Sequence, residues 1–404
     1  MRKKTVKLKR REGIHDALVE LSSAQKRKGV IFTDVLFGNI LQTTWQQVVM
    51  WCIGGLLIYL AIAKEMEPSL LLPMGFGAIL VNLPFSGAIT QGAEQGIITI
   101  LYNATISNEM LPLLLFIGIG AMIDFGPLLT NPKLMFFGAF AQFGIFFTLC
   151  LARLIGFDLR DAASIAIIGA ADGPTSIFVA EYFKSNYIGA IVVAAYSYMA
   201  LVPIVQPPVI RAVTTKQERM IRMEYNQRSI PKYVRIIFPI AVTVIAGLVA
   251  PRSVALVGFL MFGNLLRECG VLNSLSDTAQ NVLANLITIL LGLVVANGMV
   301  ADKFLAPETL IILALGLVAF VMDTIGGVMF AKLINLFSKK KVNPMIGACG
   351  ISAFPMSSRV IHKMAIAEDP YNFLLMHAAG TNVAGQIASV IAGGLVIKLV
   401  ENLL

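Results

Sequence analysis

Long runs without a charged residue dominate the chain. The clear ones are 36–63, 68–93, 134–152, 185–210, 278–301 and 370–397. A bilayer core takes about 20 apolar residues in a helix, so each run predicts a membrane-crossing helix. Shorter runs lie at 95–108, 110–123, 236–251, 253–266, 309–322 and 342–358. At 14 to 17 residues they are short for a crossing, so some predict half-helices or re-entrant segments. The pattern predicts about ten or eleven crossings plus broken segments.

Composition agrees. The 404 residues are 57% hydrophobic and 14% charged, with a mean hydropathy of +0.79. A soluble domain carries about 25% charged residues, so a large soluble α/β enzyme is excluded. The net charge of +9 is concentrated. Residues 1–30 hold ten Lys and Arg, and the stretch Arg211–Arg235 holds Arg211, Lys216, Arg219, Arg222, Arg228, Lys232 and Arg235. Both segments read as cytoplasmic by the positive-inside rule, as does Lys339–Lys341. The leader lacks a cleavage pattern and is no signal peptide. Its residues 14–26 are compatible with a surface helix, and no folded basic surface for nucleic acid is indicated. Cys52, Cys150, Cys269 and Cys349 are widely spaced and read as free thiols. His15, His362 and His377 form no metal pattern in the sequence.

The loop 211–235 divides two similar halves. Ile168-Gly169-Ala170 recurs as Ile346-Gly347-Ala348 at an offset of 178, and Met122 pairs with Met299 at 177. Gly75-Phe76-Gly77 with Asn82 loosely matches Gly258–Asn264. Paired repeats with Gly/Pro-interrupted segments point to a transporter's binding site.

Four segments carry candidate chemistry. In Ile168–Ile177 (IGAADGPTSI), Asp172 interrupts an apolar run and Gly173-Pro174 follow. Proline breaks the helix and frees carbonyls beside a carboxylate, and hard cations take oxygen ligands. A charge at the bilayer centre needs a partner; the plain alternative is a capping Asp near the interface. In Asn343–Arg359, Asn343 and Ser352 offer neutral oxygens, Gly347 and Gly350 allow close approach, and Arg359 is either an interfacial anchor or a grip for an anionic group. In His377–Ser389, Asn382 marks either a polar site or a small-residue packing face. Tyr196-Ser197-Tyr198 sits in mid-run, as buried hydroxyls or an interfacial belt.

Asp124, Asp161 and Asp302 read as interfacial or structural; Asp323, inside an apolar helix, stays open. No GxxxxGK[ST] or GxSxG occurs, which argues against ATP hydrolysis by a P-loop and against serine hydrolase chemistry at Ser352.

At these residues the chain resembles the β subunits of the sodium-pumping, biotin-dependent decarboxylases. The likeness runs from about Val48 to the C-terminus through Met74–Asn82, Gly120–Leu128, Ala141–Ile145, Gly169–Phe178, Ala194–Pro208, Asn343–Val360 and Asn372–Gly385. It implies a membrane subunit that decarboxylates carboxybiotin and couples this to outward Na⁺ transport. Carboxybiotin is presented by a biotin carrier subunit, loaded by a carboxyltransferase α subunit, with a small single-span membrane subunit in the complex. The resemblance carries Na⁺ binding onto Asp172, Asn343 and Asn382. It places carboxybiotin at Arg359, Ser352 and Gly347; the catalytic residues expected are Arg359, Ser352, Tyr198 and Asp172, with Asp172 passing the consumed proton as Na⁺ leaves. Its fold expectation is an all-α polytopic protein of two inverted repeats, elevator-type.

The chain departs from the family in three ways. The basic leader has no assigned role, and Thr381 stands where proline is common. The segment from Pro84 to Met110 is short, where the oxaloacetate branch tends to carry an insertion, which leans towards methylmalonyl-CoA or glutaconyl-CoA. The expected organisation is leader 1–30, repeat 31–210, loop 211–235 and repeat 236–404. The expected setting is a bacterial inner membrane with a cytoplasmic N-terminus, as a homo-oligomer within the complex. The rival from another class is a Na⁺-coupled secondary carrier of an organic anion.

Overall fold

The computed structural model describes residues 42–65, 68–91, 94–224 and 229–404. The basic leader and Arg228 of the hydrophilic loop lie outside the described residues. Every regular element among the described residues is helical; the sole extended pairing is the bridge between Gln91 and Glu94.

Leaving aside single turns, the order is α1 (Trp45–Ala63), α2 (Pro68–Val81), α3 (Ile97–Thr105), α4 (Met110–Met122), α5 (Leu134–Ala141), α6 (Phe143–Ile155), α7 (Leu159–Ala166), α8 (Gly173–Tyr182) and α9 (Ile188–Val213). After the loop come α10 (Lys232–Val249), α11 (Val254–Glu268), α12 (Ala284–Val295), α13 (Pro307–Phe337), α14 (Met356–Glu368) and α15 (Leu375–Leu403). Two 3₁₀ segments, Ile167–Ala170 and Pro344–Gly350, interrupt the helical run before α8 and before α14.

Seven helices among the described residues are long and apolar enough to cross a membrane, or eight if α3 and α4, bent by 65°, form one span. Of the runs counted in the sequence, 68–93 becomes the short α2, 253–266 the short α11, and 342–358 holds the second interruption. A charge-free run therefore marks apolar surroundings, and only its backbone decides whether it crosses. Large apolar side chains such as Leu56, Ile62, Phe76, Phe136, Ile245 and Leu286 point outward, as lipid contact requires.

The helices form two groups. In the first, α1 packs on α2, α2 on α12, α12 on α4, α4 on α11 and α11 on α10. In the second, α13 packs on α6, on α9 and on both 3₁₀ segments, while α15 packs on α5 and on the second segment. One contact shows why small residues recur here: a Cβ on Gly347 would lie 2.0 Å from the Gly327 carbonyl oxygen of α13, so only glycine lets these backbones meet. The long α15 is the most buried span, whereas α1 and α10 lie at the periphery. The hydrophilic loop docks. Arg219 pairs with Glu368 at 2.8 Å, and Arg222 with Asp369 at 2.6 Å.

Candidate functional site

The site forms where the two interruptions meet. After Ile167–Ala170, Ala171 takes a left-handed φ of 50° and Asp172 turns extended. Gly173-Pro174 then opens α8, where proline costs no hydrogen bond. A left-handed alanine is uncommon, and such strain gathers at functional sites. The Ser352 amide donates to the Ala170 carbonyl at 2.9 Å, joining the second interruption to the first.

Asp172 is 3% exposed. It caps α8, accepting the Thr175 amide at 3.3 Å on Oδ1. Its Oδ2 accepts the hydroxyls of Thr175 at 2.7 Å, Ser389 at 2.9 Å and Ser352 at 3.1 Å, and the Gln386 amide at 3.4 Å. Among the described residues no basic side chain forms an ion pair with it. The capping alternative is thus correct for the backbone, and the cap is buried inside the protein.

Gln386 and Ser389 stand four and seven residues beyond Asn382, on one face of α15. The Asn382 amide donates to the Ile351 carbonyl at 2.8 Å, and its Oδ1 is buried without a hydrogen-bond partner. Asp172, Ser352 and Gln386 line a cavity of about 200 Å³ between the helix groups. Its opposite wall is formed by Leu70, Leu115, Ile119, Ala284 and Thr288 of the first group. One carboxylate and three hydroxyls gather at Asp172, hard oxygens of the kind an alkali cation takes.

Four expected residues, Asn343, Tyr198, Arg359 and Gly347, stand elsewhere. Asn343 donates to the carbonyls of Arg219 at 2.8 Å and Ile221 at 2.9 Å, and accepts the Met345 amide at 3.0 Å. It heads the seven-residue 3₁₀ segment, which rises roughly 2 Å per residue. Asn343 is therefore about 14 Å along that segment from the Ser352 end, and the structure does not bring it to Asp172. Tyr198 donates to the Leu313 carbonyl of α13. Its neighbour Tyr196, two positions earlier and so on the other side of α9, lines the cavity instead. The Tyr196 ring lies so close to Gly173 that a Cβ there would sit 2.1 Å from it.

Arg359 is exposed and lines a separate groove of about 580 Å³ with Lys64, Arg211 and Lys363. Phe354 faces the cavity and Met356 the groove, so the Phe354–Met356 turn divides the two chambers. Gly347 lines neither; it seats the second segment on α13. Thr175, Ser389, Gln386 and Tyr196 were missed as site residues, although all lie in the candidate segments. Helical spacing from Asn382 and the third position after the Asp172 cap point to the first three.

Residues 46–400 match the family described as the Na⁺-transporting oxaloacetate decarboxylase beta subunit. The chain is 47% identical to the methylmalonyl-CoA decarboxylase subunit beta of Veillonella parvula, over 90% of this chain and 96% of that one. It is 46% identical to the glutaconyl-CoA decarboxylase subunit beta of Acidaminococcus fermentans, over 88% and 94%. The oxaloacetate decarboxylase beta chain 2 of Salmonella typhi is 44% identical over 88% and 95%. A multi-pass helical chain with a buried oxygen cage, matched along nearly its whole length, belongs to the β subunits of the Na⁺-transporting decarboxylases and is the membrane subunit of a sodium-translocating decarboxylase.

Proposed function

We propose that this subunit decarboxylates carboxybiotin and uses that reaction to export Na⁺ held at Asp172. The observation that carries the reading is the Asp172 carboxylate, buried where the two interruptions join and ringed by hydroxyls. A hydroxyl is both donor and acceptor. Without the ion, Thr175, Ser352 and Ser389 turn their protons to Oδ2. With Na⁺ bound they rotate and offer lone pairs, so the same atoms serve both states without moving the backbone. Asn382 Oδ1 supplies a further oxygen. Asn343 acts from a distance, by holding the second interruption to the docked loop.

Carboxybiotin, presented by a biotin carrier and loaded by a carboxyltransferase, docks in the basic groove. The forked Arg359 guanidinium suits its carboxylate, and Lys363 and Arg211 add charge. Decarboxylation breaks the bond between the ureido nitrogen and the carboxylate carbon. The electron pair stays on the ureido side, CO₂ leaves and one proton is consumed. Ser352 lines the ion cavity two residues before the dividing Phe354–Met356 turn, linking the chemistry to the ion cage. Tyr196 rather than Tyr198 is the tyrosine placed to serve the cavity.

The order α1–α2–bent α3/α4–α5/α6–α7–break–α8–α9 is followed by α10–α11–α12–α13–break–α14–α15, the same succession around the break except that α7 has no counterpart. This parallel supports two repeats, 31–210 and 236–404, inverted across the membrane. A cavity between two helix groups suits elevator-type exchange, the second group carrying the ion past the first. The basic loop and leader suit the cytoplasmic side of a bacterial inner membrane. A single-span subunit and further copies of this chain complete the complex.

Alignment lengths favour a CoA-thioester branch. The match to the oxaloacetate chain runs over 412 residues yet covers 88% of this chain, about 356 of 404, leaving about 56 positions without a counterpart here. The match to the methylmalonyl-CoA subunit runs over 364 residues and covers 90%, about 364, so it needs next to no gaps. The test is Na⁺ uptake into vesicles carrying the whole complex, offered each acyl-CoA or oxaloacetate, with and without avidin to sequester biotin. The expected outcome is uptake with methylmalonyl-CoA or glutaconyl-CoA that avidin abolishes. Avidin-insensitive uptake would remove the carboxybiotin reading.

A further inference from the structure

Asp323 is a second carboxylate that the proposed ion cage leaves unused. It stands near the middle of the 31-residue α13 and is 0% exposed. Its Oδ1 accepts the Gly144 amide at 2.5 Å, and the Ile145 amide also donates to this carboxyl. These amides open α6, just after α5 stops at Ala141. Asp323 therefore caps, from another helix, donors that this interruption leaves free. Its Oδ2 is buried and has no hydrogen-bond partner. On that side lies Gly169, where an added Cβ would come 2.7 Å from Oδ2. Gly169 belongs to the 3₁₀ segment that leads into Asp172.

Asp172 and Asp323 thus flank one interrupted segment with different surroundings. Asp172 receives three side-chain hydroxyls. Asp323 receives backbone amides alone among its hydrogen-bond partners, and these cannot ligate a cation. The titratable and charged groups on the elements packed around α13 are Cys150 and Arg153 of α6, Arg160 and Asp161 of α7, Tyr196, Tyr198 and Arg211 of α9, Asp302 and Lys303 of the turn Ala301–Phe304, Cys349 of the second segment, and Asp172 itself. None forms an ion pair or hydrogen bond with Asp323 among the described residues. A buried carboxylate with one bare oxygen and no cation is strongly disfavoured, and it neutralises by taking a proton.

We propose that Asp323 is a proton-binding site linked to the Na⁺ site at Asp172 through the Ile167–Ala170 segment between them. The proton is taken from water onto Oδ2, turning the carboxylate into a neutral acid. Loss of the proton places a charge against Gly169 and so shifts the backbone that positions Asp172. Linkage is reciprocal: Na⁺ binding then changes proton affinity at Asp323, and pH changes Na⁺ affinity. Asp323 is a positioning residue, and the inference rests on Na⁺ binding at Asp172.

The test is Na⁺ binding to the purified complex across pH, with infrared difference spectra between low and high pH, for wild type, Asp172→Asn and Asp323→Asn. Asp323→Asn is expected to keep Na⁺ binding but to lose at least half of its pH dependence. The protonated-carboxyl band that persists in Asp172→Asn is expected to disappear in Asp323→Asn. A wild-type pH dependence in Asp323→Asn would overturn the proposal. So would the lack of any protonated-carboxyl band in Asp172→Asn, a result that needs no Asp323 variant to fold. Failure of the Asp172 reading is distinguishable, because Asp172→Asn would then still bind Na⁺.

Discussion

Three hydroxyls and one amide converge on Asp172 Oδ2, and each is an ordinary side chain made useful by one position on a helix. A hydrogen bond to a charged group contributes roughly 1.5–3 kcal/mol, and 1.4 kcal/mol is tenfold in affinity. Ser389→Ala should therefore weaken Na⁺ binding by about tenfold or more, read as a rise in the Na⁺ concentration that half-activates decarboxylation. Carrier affinity should stay unchanged, because Ser389 does not line the Arg359 groove. At this scale Asp172, Ser352 and Asn382 were legible as polar residues beside Gly and Pro in apolar runs. Tyr196 was not separable from Tyr198, since the two point to opposite sides of α9 and a sequence does not reveal how a helix is rotated.

Among elements, the two interruptions do the positioning, and amide side chains hold the second one. Gln206 donates to the Ala348 carbonyl at 2.8 Å, Gln142 to Gly350 at 3.0 Å and Asn382 to Ile351 at 2.8 Å. Carbonyls released from helical bonding are thereby engaged in turn, as buried backbone requires. Asn343 belongs to this class. Asn343→Ala should destabilise the subunit by about 1–3 kcal/mol and free residues 216–224 to hydrogen exchange, while Na⁺ half-activation moves little. An Asn343 variant that folds normally but loses Na⁺ dependence would restore it as a ligand. Arg222 beside Asp369 holds that carboxyl below the usual range. Its contribution is complete above the ordinary Asp value, about 3.9, and is lost as pH falls towards the lowered one. Exchange protection of the docked loop should thus hold down to about pH 4 and fall below it; loss near pH 6 would assign the docking elsewhere. The breaks themselves were legible from Gly-Pro and Asn-Pro. Which end of the 3₁₀ segment meets Asp172 was not, because a short polar motif carries no information about distance across the fold.

Over the whole molecule, an apolar wall from one helix group faces a polar wall from the other across a cavity of about 200 Å³. The polytopic class was plain from composition. The seven or eight long apolar helices among the described residues are fewer than the ten or eleven crossings expected, because runs such as 68–93 and 253–266 fold into helices of 14 and 15 residues. The basic groove at Arg359 was legible only in part, since Lys363 stands one helical turn along α14 but Lys64 and Arg211 come from distant stretches. The measurement that bears most directly on the account is Na⁺ uptake by vesicles holding the assembled complex with Asp172→Asn. The account predicts that both Na⁺ movement and Na⁺-dependent decarboxylation are lost while the complex still assembles. Uptake that stays coupled to decarboxylation in that variant would contradict it.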